Sequence, residues 1–335
     1  MNGDHLTMTD IVSAGTEQYS TLTFSWELID ICQYKCSYCS AMNFNLSTFK
    51  KNSQEREAWK LVMKSLSSKQ IKDRFVVEVL GGEPTLHPDL YDIIDDLHQI
   101  ETCKRVELIT NLAKPVKYFL GLDREVNKLD IEASYHPEYC KDVWIDKIKQ
   151  IHNDTNITIA PNINLFDDKK YWSDTKRVID IFKQHGINVG LNFLQAVEDG
   201  VTGSWQPNYT EEFWNEFKDY LNTEVVYVDE LKEDPGIVNS AQMKQIPYKL
   251  SDDRVVLLSE SDINKYNLRQ FKGWTCKPLM YHIAMDGVIT NHCTHEHVPI
   301  YKMTSKELTC SRICNRDYCD CDTKFLYEKS RTVNR

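Results

Sequence analysis

The chain has 335 residues, enough for one large domain and a smaller companion, and 41% of them are hydrophobic, so a sizeable core can be buried. Its formal net charge of −10, with no stripe of Lys and Arg, argues against non-specific nucleic-acid binding. Residues 1–8 carry no signal-peptide pattern and no apolar run is long enough to span a bilayer, so no membrane partner and a cytoplasmic location are expected; the eleven cysteines then read as metal or redox groups, not as a disulfide framework.

Residues 1–22 are polar and patternless and read as an N-terminal arm laid over the first strand. From Thr23 the pattern alternates. Strand-like runs fall at 24–29, 75–80, 106–110, 129–134, 157–162 and 187–194. Between them lie helical stripes: Trp59, Met63 and Leu66; Leu90, Ile93, Ile94 and Leu97; Trp144, Ile148 and Ile151; Val178, Ile181 and Phe182, with Ser173 as a cap and Gly186 as a stop. Strands alternating with helices imply a parallel sheet with right-handed crossovers, and such sheets carry their chemistry at the carboxyl ends of the strands.

Those ends are distinctive. After the first strand come Cys32, Cys36 and Cys39, spaced C-x3-C-x2-C; after the second, Gly81-Gly82-Glu83-Pro84; after the third, Thr110-Asn111. The fourth ends at Ser134-Tyr135-His136 with Cys140 just beyond, the fifth delivers Asn162 and Asn164, and the sixth ends around Leu194. Three thiols this close suit a soft metal centre, and three ligands on a four-iron cube leave one iron open to chemistry. Half of a zinc knuckle is the competing reading.

Residues 196–272 shift in composition. Gly200, Gly203 and Pro207 mark a linker, Thr210 caps a helix bearing Phe213, Trp214, Phe217 and Leu221, and 223–272 read as a bridge or lid without assignable elements. A second cysteine group follows: Cys276, Cys293, Cys310, Cys314, Cys319 and Cys321. Alternation around Asp286-Gly287 predicts a β-hairpin with a type I′ turn that brings Cys276 and Cys293 together. His292, His295, Glu296 and His297 flank Cys293 as further candidate ligands, and a structural zinc in the tail is the alternative to a cluster.

The C-x3-C-x2-C run, with Tyr38 before its last cysteine, and the GGEP turn after the next strand resemble the signatures of the radical S-adenosylmethionine (radical SAM) superfamily. The resemblance implies a (β/α)6 partial TIM barrel over 23–195, with a [4Fe-4S] cluster on Cys32, Cys36 and Cys39 whose fourth iron chelates SAM. It places Tyr38 near the adenine, Gly81, Gly82, Glu83 and Pro84 at the SAM amino group, Thr110 and Asn111 in the site lining, Ser134 at the SAM carboxylate or ribose, and Asn162 and the backbone at Leu194 at the mouth. His136 stands where many members carry an acid. It is a candidate substrate contact, and Cys140 is a candidate hydrogen donor.

Residues 273–335 resemble SPASM/twitch extensions, although the tail spacing C-x3-C-x4-C-x-C differs from theirs. Two cysteine-ligated auxiliary clusters need eight thiolates and the group has six, so one auxiliary [4Fe-4S] cluster is expected. The resemblance implies an oxidoreductase or epimerase that abstracts a hydrogen atom from a small polar substrate, such as a sugar, aminoglycoside or nucleoside. A flavodoxin- or ferredoxin-type reductant would supply the electron. Modification of a ribosomally made peptide is the first alternative, and a non-catalytic iron–sulfur or zinc interaction protein the second.

Overall fold

The computed structural model describes residues 6–15, 22–39, 53–68, 71–125, 127–194, 209–221, 226–228, 246–258, 260–290, 297–315, 317, 319 and 329–331. In chain order the elements are β1 (Ile11–Ala14), β2 (Leu22–Ile29), α1 (Ser53–Leu66), β3 (Phe75–Gly81), α2 (Leu90–Gln99), β4 (Cys103–Thr110), α3 (Val116–Leu120), β5 (Leu129–Tyr135), α4 (Asp142–Asp154), β6 (Thr158–Leu165), α5 (Lys169–Gln184) and β7 (Gly190–Phe193). There follow α6 (Glu211–Phe217), β8 (Val226–Val228), β9 (Ile246–Leu250), β10 (Val255–Leu258), α7 (Glu260–Lys265), β11 (Trp274–Cys276), β12 (Met280–Ile283), β13 (Val288–Thr290), β14 (His297–Pro299), α8 (Ser305–Leu308), β15 (Arg312–Ile313) and β16 (Lys329–Arg331). The chain divides into two units, one of residues 21–194 and 280–308, the other of 1–20, 195–279 and 309–335.

The first unit holds a nine-stranded sheet in the order β14-β13-β12-β2-β3-β4-β5-β6-β7. Strands β2 to β7 are parallel, as their alternation with helices requires, and the order is open, with β14 and β7 at its edges. One face is apolar: Phe24, Trp26, Val77, Val79, Val106, Leu108, Ile131 and Ala133 are buried there. The helical stripes provide its cover, for Ile93, Ile94 and Leu97 of α2, Ile148 and Ile151 of α4 and Val178, Ile179 and Phe182 of α5 are buried too. Helix α5 starts earlier than Ser173 suggested. Its cap is Asp168, whose carboxylate accepts the Lys170 N–H at 3.2 Å, while Gly186, at φ 69°, provides the expected stop.

The opposite face is polar. Register pairs Ser25 with Glu78, Glu78 with Glu107, Glu107 with Asp130, and Ser134 with Asn162. Asn162 Nδ2 donates to Glu132 Oε1 at 2.6 Å, Asn192 Nδ2 donates to Asn164 Oδ1 at 2.8 Å, and His282 Nε2 lies 3.3 Å from Glu27 Oε2. Arg105 reaches Glu107 and Asp130, each at 3.7 Å. Burial, with Glu132 and Glu78 adding to it, holds the Glu107 carboxyl well above its ordinary range against the pull of Arg105.

The hairpin that the sequence assigned to the cysteine-rich extension sits instead in this sheet: β12 pairs in parallel with β2, Tyr281 opposite Phe24 and Ile283 opposite Trp26. Its turn is not type I′. The Gly287 N–H donates to the Ala284 carbonyl at 2.9 Å, and Gly287 alone takes a positive φ, 79°. Only the glycine therefore enters the left-handed region, and the turn is one residue longer than expected.

The second unit holds a seven-stranded sheet, β15-β11-β16-β1-β9-β10-β8, antiparallel at every pairing. The N-terminal arm is thus a strand. Its Ile11 and Ala14 are fully buried between β16 and β9. Within 223–272, where no element was expected, β9 and β10 form a hairpin that buries Ile246, Tyr248, Leu250, Val256 and Leu258. Helix α6 is capped as read, Thr210 Oγ1 accepting the Phe213 N–H at 3.2 Å.

The Glu107 environment sets a pH signature. The folded chain holds this proton more tightly than the unfolded chain does, so the group's burial removes stability as pH rises above the unfolded value. Glu107→Gln is expected to raise the thermal midpoint, with a margin that grows from about pH 5 to about pH 8 by at most ~1.4 kcal/mol per pH unit. Melting curves at the two pH values check this; a margin that is flat or reversed overturns the assignment of a raised Glu107 carboxyl.

Candidate functional site

Where β2 ends, the chain turns into the three-thiol loop, and where β3 ends it turns into Gly81-Gly82-Glu83-Pro84; the two turns touch through their backbones. Gly82 N–H donates to the Ile29 carbonyl at 2.6 Å and Glu83 N–H to the Ile31 carbonyl at 2.8 Å. A Cβ on Gly81, which sits at φ 143°, would lie 2.0 Å from the Ile29 carbonyl oxygen, and one on Gly82 would lie 2.3 Å from that of Ile31. The glycines are therefore fixed by the approach of the cysteine loop.

Glu83 ties a third strand to this pair. It is 1% exposed, and its Oε1 accepts the Thr85 N–H at 3.1 Å, the Thr85 hydroxyl at 2.6 Å and the Thr110 hydroxyl at 2.6 Å. Its Oε2 accepts the Asn111 N–H at 2.8 Å. Burial raises the carboxyl and these four donors pull it back. Asn111 continues the chain of contacts, accepting from Gln33 Nε2 at 2.9 Å and presenting Nδ2 3.7 Å from Cys32 Sγ. The cysteine loop, the GGEP turn and Thr110-Asn111, separate in sequence, are one connected set.

The loop after β5 closes on the same cysteines. Cys36 Sγ lies 3.4 Å from His136 Nδ1, and the Tyr38 hydroxyl 3.0 Å from that nitrogen. Tyr38 stacks on the imidazole with ring centroids 6.1 Å apart and packs against Phe166. Burial lowers His136 to about 4, so the imidazole is neutral at neutral pH. Cys140 is buried, its sulfur accepts the His136 N–H at 3.2 Å, and burial pushes its thiol up to about 12. Ser134 faces Asn162 in the sheet register, and Asn162 is hydrogen-bonded to Glu132.

Cys36 is buried, Cys32 half-buried and Cys39 exposed. Burial raises the Cys32 thiol, and it pushes Cys36 up to about 12, with the charges of Cys39 and Cys32 adding to the effect. Bound iron reverses that logic by deprotonating the thiols it takes. Among the described residues no three His, Cys, Asp or Glu side chains close around a single ion. A cube instead takes its thiolates at separate corners, and a donor set of three soft sulfurs at one strand end fits it.

In the second unit Cys276, on β11, and Cys314 and Cys319 are all buried, while Cys310 is exposed. The tail returns to β11 through Cys314 N–H to the Trp274 carbonyl and Gly273 N–H to the Cys314 carbonyl, both 2.8 Å. Burial pushes the Cys276 thiol up to about 11; Lys329 lowers it, and Cys319 and Cys314 raise it. Cys293, Cys321, His292, His295 and Glu296 lie outside the described residues.

Sequence reasoning missed the acids of the polar sheet face and the grip of 136–140 on the cysteine loop. The first had a signal: Glu78, Glu107 and Glu132 each sit between two hydrophobic neighbours in a strand, the mark of alternate facing. The second had none, because it joins residues about a hundred positions apart. Gly82→Ala should drive the two loops apart, destabilise the fold by ~1–3 kcal/mol and lower the iron retained after anaerobic reconstitution. Iron analysis beside circular dichroism checks this, and unchanged iron content would refute the packing argument.

No family model matches the chain. A curated protein, the GTP 3′,8-cyclase of Pasteurella multocida, is 29% identical over 107 residues, which is 32% of this chain and 30% of that protein. The match therefore spans less than a third of the relative. Among solved structures, Streptococcus suis SuiB bound to S-adenosylmethionine superposes with a TM-score of 0.53 at 13% identity, covering 85% of this chain and 64% of that one. The same protein bound to precursor peptide SuiA gives 0.52 at 14% identity, with the same coverage. At these identities the structural likeness speaks for the fold, and the sequence match together with the joined cysteine and GGEP loops makes the chain similar to radical SAM enzymes.

Proposed function

We propose that this chain reductively cleaves S-adenosylmethionine and takes a hydrogen atom from a polar substrate, leading to its oxidation or epimerisation. The observation that carries the reading is the unbroken path from Cys32 through Asn111 to Glu83, which fastens the three-thiol loop to the GGEP turn at the carboxyl ends of parallel strands. Cys32, Cys36 and Cys39 would hold a [4Fe-4S] cluster, which with SAM at its open iron supplies a 5′-deoxyadenosyl radical able to attack an unactivated C–H bond.

The protein's own part is to bind and orient. Glu83 Oε1 is filled by three donors and Oε2 by one, so Oε2 keeps capacity for an ammonium N–H of SAM. The backbone of Gly81, Gly82 and Pro84, the side chains of Thr110, Asn111, Ser134 and Asn162, the ring of Tyr38 and the backbone at Leu194 are the remaining proposed SAM contacts. A sheet face of carboxyl and amide groups suits a hydroxylated or amino-bearing substrate, because such groups exchange hydrogen bonds with it. The likeness to a SuiB structure bound to a precursor peptide favours a peptide as the second reading.

In the other unit, Cys276, Cys314 and Cys319 would anchor one auxiliary [4Fe-4S] cluster, with Cys310 and Cys321 as candidates for its remaining ligand. An external one-electron donor of flavodoxin or ferredoxin type completes the reaction.

Anaerobically reconstituted, reduced protein is expected to convert SAM to 5′-deoxyadenosine, and Cys36→Ala to fall to background. Intact cluster absorbance with no 5′-deoxyadenosine under strong reduction would defeat the enzyme reading. With a turned-over substrate, deuterium gained from D2O marks epimerisation and a loss of two hydrogens marks oxidation. For the auxiliary cluster, iron should fall from roughly eight to roughly four per chain in Cys276→Ala; an unchanged iron content would remove Cys276 from the ligands.

A further inference from the structure

The segment from His136 to Cys140 does more than follow β5. Its residues hold the cysteine loop at five consecutive residues, Tyr34 to Tyr38. The Tyr34 ring stacks on Tyr139 with centroids 4.5 Å apart and planes 9° from parallel, and the Lys35 N–H donates to the Tyr139 hydroxyl oxygen at 3.1 Å. The Ser37 N–H and hydroxyl donate to the two oxygens of Glu138, at 2.8 and 2.5 Å. His136 meets Cys36 and Tyr38. The clamp itself is closed by Cys140, whose N–H donates to the His136 carbonyl at 2.8 Å while its sulfur accepts the His136 N–H.

At the centre of this contact Cys36 Sγ, His136 Nδ1 and the Tyr38 hydroxyl form a triangle, since Tyr38 is hydrogen-bonded to Cys36 as well as near the imidazole. With a thiol at Cys36, several proton arrangements satisfy it. An iron-bound thiolate has no proton and only accepts, so an unprotonated Nδ1 facing it would set lone pair against lone pair. The loaded site therefore selects the Nδ1–H tautomer, and both the N–H and the O–H have the sulfur as their acceptor. Hydrogen bonds to cluster sulfurs stabilise the more negative, reduced state and so raise the potential.

Resting on the cluster assignment above, we propose that His136 and Tyr38 are a pair of positioning residues that donate hydrogen bonds to the Cys36 ligand, and that the 136–140 segment is the clamp that presents them. The role is to fix the loop and set the potential at which its cluster accepts an electron.

The test uses the full chain, anaerobically reconstituted, with midpoint potentials measured by redox titration of the electron paramagnetic resonance signal that changes on adding SAM. His136→Phe and Tyr38→Phe each remove one donor, and each is expected to move the midpoint to a more negative value than wild type. His136→Asn, whose amide offers an N–H near the position of Nδ1, is expected to return towards wild type. Iron lost from either phenylalanine variant with far-UV circular dichroism unchanged is the same result in a stronger form. Midpoints and iron contents that match wild type in both variants would overturn the proposal, as would an equal shift in His136→Phe and His136→Asn. A wild-type chain that takes up no SAM-responsive cluster would instead bring down the assignment beneath it, and the proposal with it.

Discussion

The close passage of two backbones, Ile29 to Ile31 against Gly81 to Glu83, is the constraint on which the rest of the first unit's site depends. Two N–H groups of the second turn are used on carbonyls of the first, and neither contact survives a Cβ at the glycines. The hydrogen bonds are ordinary in strength. Their effect is geometric, because they place the exit of β2 and the exit of β3 in a fixed relation before any side chain is considered. Glu83 then extends that relation to the end of β4, and the 136–140 segment to the end of β5. Four successive strand ends are thereby fastened to one loop of thiols.

The sheet beneath that loop differs from an ordinary parallel sheet, whose strands are apolar on both faces. Here one face packs against helices in the usual manner, and the other carries a row of carboxyl and amide side chains of which Glu78, Glu107, Glu132 and Asn164 are buried. Charge on all of them would be prohibitive at such burial. The structure answers with hydrogen bonds from Asn162 to Glu132, with Arg105 between Glu107 and Asp130, and with burial that raises the Glu107 carboxyl. A polar face of this kind contributes little to folding, and its chemistry is better matched to a polar molecule than to a helix.

Much of this was legible in the sequence because its causes are local. Cysteine spacing, the GGEP turn and the amphipathic helices each depend on neighbours within a few positions, and all reappear in the structure as elements or as parts of one connected set. What stayed hidden depends on distant partners. Strand β1 is four residues of no marked pattern that become a strand only because β9 and β16 flank them, and β12 was read as part of a local hairpin although its other edge belongs to β2. The cap is Asp168 and not Ser173, because the helix begins at Lys169 and Ser173 lies inside it. The clamp on the cysteine loop was unreadable for the same reason, since stacking and hydrogen bonding between residues a hundred positions apart leave no local mark.

The choice between an open cluster and a closed four-ligand ion turns on what else near the thiols is available to coordinate. Among the described residues the neighbouring candidates carry hydrogen bonds of their own. Glu83 receives four hydrogen bonds, Glu138 is held by both donors of Ser37, and the Cys140 sulfur accepts from the His136 backbone. His136 directs the same nitrogen towards Cys36 and Tyr38. A structural zinc site needs a fourth protein ligand to saturate it. The packing here draws the described candidates for that role into other bonds, which is what the proposed open cluster on Cys32, Cys36 and Cys39 would need and a structural ion would not.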